Sequence, residues 1–263
     1  VALLERIIES GCPPGGVVLD PFCGCGTTIA AAQNLKRNWV GIDVTFLAVS
    51  LIKSRLTAAG AEDYDVLGEP TTADDAAALA ANDPYQFQWW ALGLIGARPA
   101  EGKKGADKGI DGRVFFFDGG AKPKQLIVSV KAGKVQVSHV RDLVGVLDRE
   151  KAQIGVLISL NEPTKPMREE AASAGFYKSA YSTHPRVQLL TVAAMAQDDP
   201  GRVVALRPVE ELLRVGLLAL GVRRLQDLRA SGALGGRSGS TRLTAYPLVT
   251  LVPTGEEAWS AGP

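Results

Sequence analysis

Residues 16–27 read GVVLDPFCGCGT, and this stretch decides the fold of the first part of the chain. Its apolar run ends at Asp20 and is followed by a turn that contains Gly24 and Gly26, after which Thr27 begins a run of small residues. Glycine lets the backbone approach a ligand because no Cβ stands in between. A strand that ends in an acid, a glycine turn and a helix start is therefore typical of a site for a nucleotide-like cofactor.

The residues around this turn predict one βαβ unit of a parallel sheet. We expect a strand at 16–20, a helix over 29–35, a second strand at 38–43 and a further helix over 46–56. Two strands do not make a stable sheet alone. The rest of the sheet is therefore expected before Val1, or the two strands pack on something else.

Written as D-P-F-x-G-x-G-T, the turn resembles the S-adenosylmethionine-binding motif of the DNA amino-methyltransferases, which act on N6 of adenine or N4 of cytosine. A plain glycine turn of another doubly wound fold is the alternative. The resemblance implies a partial Rossmann-like methyltransferase unit. The cofactor-binding residues that it implies are Asp20, Phe22, Gly24, Gly26, Thr27 and Asp43. Asp43, at the end of the second strand, would accept hydrogen bonds from the ribose hydroxyls.

Methyl transfer also needs a D/N/S-P-P-Y/F segment in this family, and the chain offers only Asn82-Asp83-Pro84-Tyr85. That segment has one proline and leads into an amphipathic pattern, so we interpret it as the start of a helix. Cys23 and Cys25 occupy variable positions of the motif and are expected to pack rather than to bind metal. This fragment alone is expected to bind S-adenosylmethionine weakly or not at all, and not to methylate.

A second group of polar residues belongs to a predicted hairpin, with strands at 112–118 and 124–132 joined at 119–120. Asp111 precedes the first strand, and Ser129 and Lys131 lie on the second. An acid and a lysine on neighbouring strands can converge at one end of a hairpin. There Asp111 would ligate Mg²⁺, and Lys131 would orient or activate the water that attacks a phosphodiester. Ser129 would be a weak or water-mediated ligand.

The elements around the hairpin extend the pattern. We expect a helix from residue 85 to about 96, a helix from Ser138, a strand at 154–160, a helix over 164–175 and a last strand at 187–192. With this order, G-x-D-x-G-I-D-G and V-x-V-K resemble the PD-(D/E)xK nucleases, and more narrowly the Mrr-like restriction endonuclease domains, over about 84–192.

Ser129 departs from that family pattern, which places Glu, Asp or Gln at this position. A hydroxyl is a poorer Mg²⁺ ligand than a carboxylate. Three outcomes stay open: another acid (Asp107 or Asp142) completes the site, cleavage is weak, or cleavage is lost. Only two histidines are present, His139 in a predicted helix and His184 in a predicted loop, so Ser-His-Asp catalysis finds no support.

The charge of the chain is uneven. The net charge is +1, yet residues 98–141 hold ten Lys and Arg against four Asp and Glu, a local charge of +6. Such a segment favours a polyanionic partner, although a solvated face would look similar. The basic residues expected to hold flanking phosphates are Lys103, Lys104, Lys108, Lys134 and Arg141.

The sequence thus predicts an α/β protein in four parts. They are the end of a methyltransferase domain (1–59), a linker with a short helix (60–84), an endonuclease-like domain (85–197), and a helix over 209–228 with an unstructured tail (198–263 in all). The expected function is that of a restriction-modification fragment that binds double-stranded DNA and cleaves it with Mg²⁺. The alternatives are a methyltransferase whose nuclease-like domain only binds DNA, and a non-enzymatic DNA-binding module.

The composition sets broader limits. Apolar residues make up 46% and charged residues 22% of the chain, as in globular proteins. No apolar run approaches the ~20 residues of a membrane span, and no signal peptide is evident. With three cysteines and no disulfide framework, the cytoplasm is the default location. The sequence does not determine the oligomeric state, and a homodimer is compatible with it.

Overall fold

The computed structural model describes residues 1–61, 63–100, 109–118, 122–179, 182–195 and 249–253. It divides into two compact units, Val1–Glu69 with Leu243–Pro263, and Pro70–Arg242. The elements in chain order are α1 (Ala2–Gly11), β1 (Val17–Asp20), α2 (Thr27–Asn34), β2 (Asn38–Asp43), α3 (Phe46–Ala58), β3 (Tyr64–Leu67), α4 (Ala73–Asn82), α5 (Pro84–Leu94), β4 (Arg98–Pro99), β5 (Gly112–Phe116), β6 (Lys124–Lys131), α6 (Val137–Glu150), β7 (Ile154–Ser159), α7 (Lys165–Ser173), β8 (Phe176–Lys178), β9 (Thr183–Pro185), β10 (Val187–Thr191), α8 (Val192–Met195) and β11 (Val249–Pro253). Over the part of the chain so described, no helix has the length and apolar character needed to cross a membrane.

The first unit contains a four-stranded mixed sheet in the order β1-β2-β11-β3. β1 and β2 are parallel with α2 between them in the chain, as the pattern at 16–43 predicts. α2 packs through Ile29, Ala31 and Ala32, which are fully buried. α3 begins where the hydroxyl of Thr45 accepts a hydrogen bond from the amide of Ala48 at 3.3 Å, an ordinary N-cap.

β11 corrects the expectation of an unstructured tail over 229–263 at residues 249–253, the part of that tail that the structure describes. It pairs antiparallel with both β2 and β3, and Val249 and Leu251 are fully buried. An alternating apolar segment gains most by burial against strands that lie far away in the sequence, and composition alone does not reveal that opportunity. β1 and β2 are therefore not a two-stranded sheet. The helix expected over 209–228 lies outside the described residues.

Residues 60–84, expected to be a linker with a short helix, are also more ordered than their composition suggests. β3 belongs to the first unit, and the ten-residue α4 belongs to the second. α4 starts with a capping box in which Thr72 and Asp75 exchange hydrogen bonds, which the Thr-x-x-Asp spacing encodes. Asp83 caps α5 and Pro84 is at its start, so the interpretation of Asn82 to Tyr85 as a helix start is confirmed.

The second unit contains a five-stranded mixed sheet in the order β10-β7-β6-β5-β4. β6, β7 and β10 are parallel, and β5 pairs antiparallel with β6 and β4. Ile127, Leu157 and Val187 form one core with residues of α6 and α7. The predicted strands at 112–118, 124–132, 154–160 and 187–192 are confirmed in place and order, and the predicted turn at 119–120 lies outside the described residues.

The two histidines lie in different environments. His139 accepts a hydrogen bond at Nδ1 from the amide of Gln136, so it caps α6 as expected. His184, expected in a loop, is instead buried in the short strand β9, where Nε2 lies 2.6 Å from the hydroxyl of Ser182. The ribbon of β8 and β9 was not predicted because each strand has only three residues. Pairing over so short a length leaves little pattern in the sequence.

Candidate nuclease and cofactor sites

Asp111 lies directly before β5. Because β5 and β6 are antiparallel, the start of β5 lies beside the C-terminal part of β6. Its Oδ2 accepts hydrogen bonds from the amide of Val130 at 2.7 Å and from the hydroxyl of Ser129 at 3.2 Å. The backbone of Asp111 is held as well, because its amide donates to Val128 and its carbonyl accepts from Ala100. The side chain is only 9% exposed. The carboxylate is thus fixed on the β6 backbone rather than free to rotate.

Lys131 is the last residue of β6, and its Nζ lies 3.8 Å from Oδ2 of Asp111. Its side chain keeps 34% of its surface exposed, whereas Ser129 is 5% exposed. Residues two apart on a strand share a face, so Ser129 and Lys131 lie on one side of β6. The structure therefore brings Asp111, Ser129 and Lys131 together as predicted, with the lysine as the member open to solvent.

A brace behind this site was missed by the sequence analysis. The side-chain amide of Asn161 donates to the carbonyl of Gly133 at 3.1 Å, and its backbone carbonyl accepts from the hydroxyl of Ser159 at 2.8 Å. The amide of Leu160 also donates to the carbonyl of Lys131 at 3.3 Å. These bonds fix the turn after Lys131 to the end of β7. The bonds from Asn161 to Gly133 and from Leu160 to Lys131 join segments about thirty residues apart, so no local pattern predicts them.

The other residues considered for the nuclease site are less central. Asp142 is exposed on α6, and Arg141 is paired with Glu170 at 3.0 Å. Lys134 is exposed, three residues beyond Lys131. Asp107, Lys103, Lys104 and Lys108 lie outside the described residues. Within the described ranges, no three His, Cys, Asp or Glu side chains come together as a metal-binding group.

The glycine turn of the first unit has the backbone that its sequence requires. Gly24 and Gly26 have φ angles of +50° and +75°, in the left-handed region that favours glycine. A Cβ on Gly24 would meet nothing within 4 Å, whereas one on Gly26 would lie 2.6 Å from Ile52. Gly24 thus borders open space where a ligand could approach, and Gly26 allows close packing of the turn on α3.

Asp43 fixes this turn. Its Oδ2 accepts from the amide of Gly24 at 2.9 Å, and its Oδ1 accepts from the amide and the hydroxyl of Thr45 at 2.9 and 2.8 Å. A carboxylate has about four acceptor positions, so one on Oδ2 remains for a ligand hydroxyl. Thr45 was missed by the sequence analysis, although an acid followed two residues later by threonine is a known local turn pattern.

The remaining predicted cofactor residues line the same turn. Asp20 accepts a hydrogen bond from the amide of Phe22 at 3.2 Å, and Phe22 has 86% of its surface exposed. Thr27 is the first residue of α2, and its hydroxyl lies 3.5 Å from the sulfur of Cys25. Five of the six predicted residues therefore lie between the end of β1 and the start of α2, and the sixth, Asp43 at the end of β2, is hydrogen-bonded to that turn at Gly24.

The two cysteines of the turn differ chemically. Burial, with the charges of Asp43 and Asp20, raises the pKa of Cys23 to about 11. The hydrogen bond with Thr27 lowers the pKa of Cys25, which is exposed. Cys23 packs against the sheet, where its amide donates to the carbonyl of Ile42. This agrees with a packing role for Cys23, whereas Cys25, also expected to pack, is exposed.

Comparison with known proteins gives a match for each unit. The family model of the DNA methylases matches residues 1–54, and that of the restriction endonucleases, as the Mrr catalytic domain, matches residues 79–197. The chain joins a DNA methylase segment to a restriction endonuclease domain. Both resemblances stated from the motifs are thereby confirmed.

Two curated methyltransferases are similar to part of the chain. The type II methyltransferase M.EcaI of Enterobacter cloacae is 29% identical over 87 residues, which are 33% of this chain and 19% of the relative. The type II methyltransferase M.BamHI of Bacillus amyloliquefaciens is 46% identical over 56 residues, which are 21% of this chain and 13% of the relative. The chain thus spans less than a fifth of the length of these relatives.

Proposed function

We propose that the second unit of this restriction-modification fragment cleaves phosphodiester bonds of double-stranded DNA with the help of Mg²⁺. The observation that carries the proposal is the grouping of Asp111, Ser129 and Lys131 at one end of β6. A fixed carboxylate, a hydroxyl and a solvent-accessible ammonium meet there inside a domain that matches the restriction endonucleases.

Asp111 and Ser129 fit a Mg²⁺ site only if the substrate contributes further oxygen ligands. Mg²⁺ prefers oxygen ligands, keeps several waters and is often bound through one or two carboxylates plus substrate phosphates. Asp111 would supply the carboxylate and Ser129 a hydroxyl oxygen. When bound, the ion would neutralise charge on the scissile phosphate. With one described carboxylate, we expect weak metal affinity in the absence of DNA.

Lys131 would act directly on the reacting groups. Its ammonium lies beside Asp111 yet remains partly exposed, so it can reach a phosphate oxygen or a water next to it. A positive charge placed there stabilises the negative charge that develops during attack. Asp111 holds the ammonium near the metal position through charge attraction. The brace through Asn161 keeps the end of β6 from shifting.

The test is nicking of supercoiled plasmid by the full chain with Mg²⁺ or Mn²⁺. Wild-type protein should nick, Lys131→Ala should lose at least about a hundredfold in rate, and Asp111→Asn should lose metal-dependent activity. Lys165→Ala is the matched control, since it removes an exposed lysine of the second unit that is not among the residues expected to hold phosphates, and it should retain the wild-type rate. A folded wild-type protein that leaves methylated and unmethylated plasmid intact would refute cleavage.

A second function, DNA binding without cleavage, is favoured by one observation, the serine at the position of the second ligand. It predicts metal-independent binding that weakens steeply with salt, because phosphate contacts release counterions. Asp111→Ala would then leave the affinity for DNA unchanged. Filter binding at several salt concentrations, beside the nicking assay, distinguishes the two functions.

For the first unit, we propose that the turn from Asp20 to Thr27, with Asp43, forms the S-adenosylmethionine-binding end of a Rossmann-like DNA amino-methyltransferase. The open space at Gly24 and the remaining acceptor position on Asp43 support this. Calorimetry with S-adenosylmethionine should show weak binding that Phe22→Ala reduces further. Because Phe22 is exposed, that variant should unfold at the wild-type temperature. Equal affinity of both proteins would refute a role for Phe22.

A further inference from the structure

One face of the four-stranded sheet in the first unit is apolar yet open to solvent. The register places Leu19 beside Val40, and it joins Ile42 to Leu67 through Thr250. Partners on neighbouring strands share a face, and so do residues two apart on one strand. We call this surface the open face. Its apolar members are Val17, Leu19, Val40, Ile42 and Leu67, and its polar members are Asn38, Asp65 and Thr250.

The opposite face of the same sheet is covered. Leu251 is fully buried there, and a Cβ on Gly41 would lie 2.9 Å from Cδ1 of Ile29 on α2. On the open face, by contrast, Leu19 is 62% exposed and Leu67 is 56% exposed. Parallel strands ordinarily have helices on both faces, because both faces are apolar. The described elements therefore leave one side of this sheet without its second layer.

The strand β1 also lies at an edge of this sheet. It pairs with β2 on one side, and no strand among the described residues pairs with it on the other. The glycine turn of the proposed cofactor site follows directly after Asp20, the last residue of β1. In open α/β sheets, ligands bind outside the carboxyl ends of the strands, in the crevice where the strand order reverses. Such a crevice has strands on both sides, so a further strand beside β1 would complete it.

Exposed apolar side chains are concentrated in the first unit. Of the twelve large apolar side chains that are exposed in the described residues, nine belong to the first unit and three to the second. Monomeric proteins rarely expose large contiguous apolar patches, and such patches mark sites of interaction. The open face, whose members are neighbours across four strands, is therefore best explained as a surface that another polypeptide covers.

The first unit itself indicates the kind of polypeptide. Residues 1–54 match the DNA methylases, and the chain spans 19% and 13% of the two curated methyltransferases. Most of the length of such proteins thus has no counterpart in the first unit. A second copy of this chain fits less well. Two copies that meet through the same edge offer each other the same half of the crevice, so neither is completed.

We propose that the open face and the free edge of β1 bind the remaining part of a DNA methylase domain. This polypeptide adds a strand beside β1 and places apolar helices on the open face. Burial of the open face provides the affinity, and strand pairing fixes the position. The inference rests on the proposed methyltransferase role of the first unit, and it adds a partner that makes the cofactor site complete.

The first experiment co-expresses the tagged full chain with the type II methyltransferase M.BamHI from which the 56 residues similar to this chain are deleted. The truncated protein lacks a segment of the kind that this chain contains. It should co-purify with the wild-type chain, whereas intact M.BamHI should not, because its own segment fills the position. Failure of the truncated protein to co-purify, or equal recovery of the intact protein, would overturn the proposal.

Leu19→Glu tests the surface. Leu19 is exposed, so the variant should fold as wild type does, and a charge at the contact should abolish co-purification. Leu51→Glu is the matched control, because Leu51 is exposed on α3 and is not a member of the open face. Sedimentation of the chain alone tests the second copy. A dimer that Leu19→Glu dissociates would overturn the proposal, and a mass that this substitution leaves unchanged supports it.

Calorimetry separates this inference from the proposed cofactor site. The complex should bind S-adenosylmethionine at least about tenfold more tightly than the chain alone, because a completed crevice surrounds more of the ligand. A complex that forms but binds no S-adenosylmethionine refutes the cofactor site and supports the docking surface. A chain that binds S-adenosylmethionine but does not retain the truncated methyltransferase supports the cofactor site and refutes the docking surface.

Discussion

Nζ of Lys131 lies 3.8 Å from Oδ2 of Asp111 across the β5–β6 pair, while the backbone of each residue is held by a neighbouring segment, Asp111 by Val128 of β6 and Lys131 by Leu160 after β7. The carboxylate is buried and receives the amide of Val130, while the ammonium is partly in water. This arrangement separates the two roles: Asp111 is a fixed anchor, and Lys131 is the group that can move onto a phosphate.

Ser129→Asp should restore a second carboxylate to the proposed metal site. Without metal, two adjacent buried carboxylates repel each other, so we expect the free energy of unfolding at pH 7 to fall by about 1–3 kcal/mol. Mg²⁺ should reverse that loss and should support nicking at lower concentration than in wild type. Thermal unfolding with and without Mg²⁺ measures this. Ser129→Ala is the control, and an equal Mg²⁺ response in both variants would contradict the assignment.

Gly112→Ala should destabilise the second unit and weaken the site. A Cβ at Gly112 would lie 2.4 Å from Cδ2 of Leu92 and 3.2 Å from the carbonyl of Arg98. Leu92 is fully buried and cannot move aside, so we expect a loss of about 1–3 kcal/mol. Gly133→Ala is the matched control, because a Cβ there meets nothing within 4 Å. Urea unfolding of the two variants should differ, and equal midpoints would refute the packing argument.

Cys25 should react with iodoacetamide well before Cys23. At pH 8 a lowered pKa gives Cys25 more thiolate, whereas burial and a pKa of about 11 protect Cys23. Thr27→Ala removes the hydrogen bond that lowers the pKa of Cys25 and should slow its alkylation. Peptide mass mapping over time gives both rates. S-adenosylmethionine should protect Cys25 if the turn binds it, and faster labelling of Cys23 would contradict the structure.

The hydrogen bond from Tyr177 to the carboxylate of Asp118 should make stability depend on alkaline pH. Burial and Asp118 raise the pKa of Tyr177 above its ordinary value. Because the pKa of this tyrosine is higher in the folded protein, its protonated form stabilises the fold at pH values below the unfolded pKa of about 10. That stabilisation is lost as the pH rises through the folded pKa. Tyr177→Phe should cost about 1–3 kcal/mol at pH 7 to 9, and the difference from wild type should shrink above pH 10. A difference that does not change with pH would contradict this.

Much of the candidate site could be predicted because its parts are local. The turn at 20–27 needs glycine at two positions with positive φ, and Asp83 with Pro84 encodes a helix start, so short spacings suffice. Asp111, Ser129 and Lys131 were expected together because a hairpin brings neighbouring strands into register. The pairs Gly112 with Val128 and Arg113 with Ile127 provide that register.

Other features could not be predicted because they depend on partners far away in the chain. In the sequence, Val249 and Leu251 look like part of an unstructured tail. Only the folded chain shows that their strand pairs with β2 and β3. Gln188 looks like an ordinary polar residue of a strand, and only the packed unit shows that it is buried. His184 was expected in a loop because its three-residue strand leaves almost no periodicity.

The sequence by itself determined the two family resemblances of this protein, since the motifs that carry them lie in neighbouring residues. The tertiary structure decided which side chains are buried and therefore how they act: the carboxylate of Asp111 is fixed on β6, and the thiol of Cys23 is shielded. Burial is a property of the whole packed unit, because each side chain is covered by elements that no local pattern places beside it.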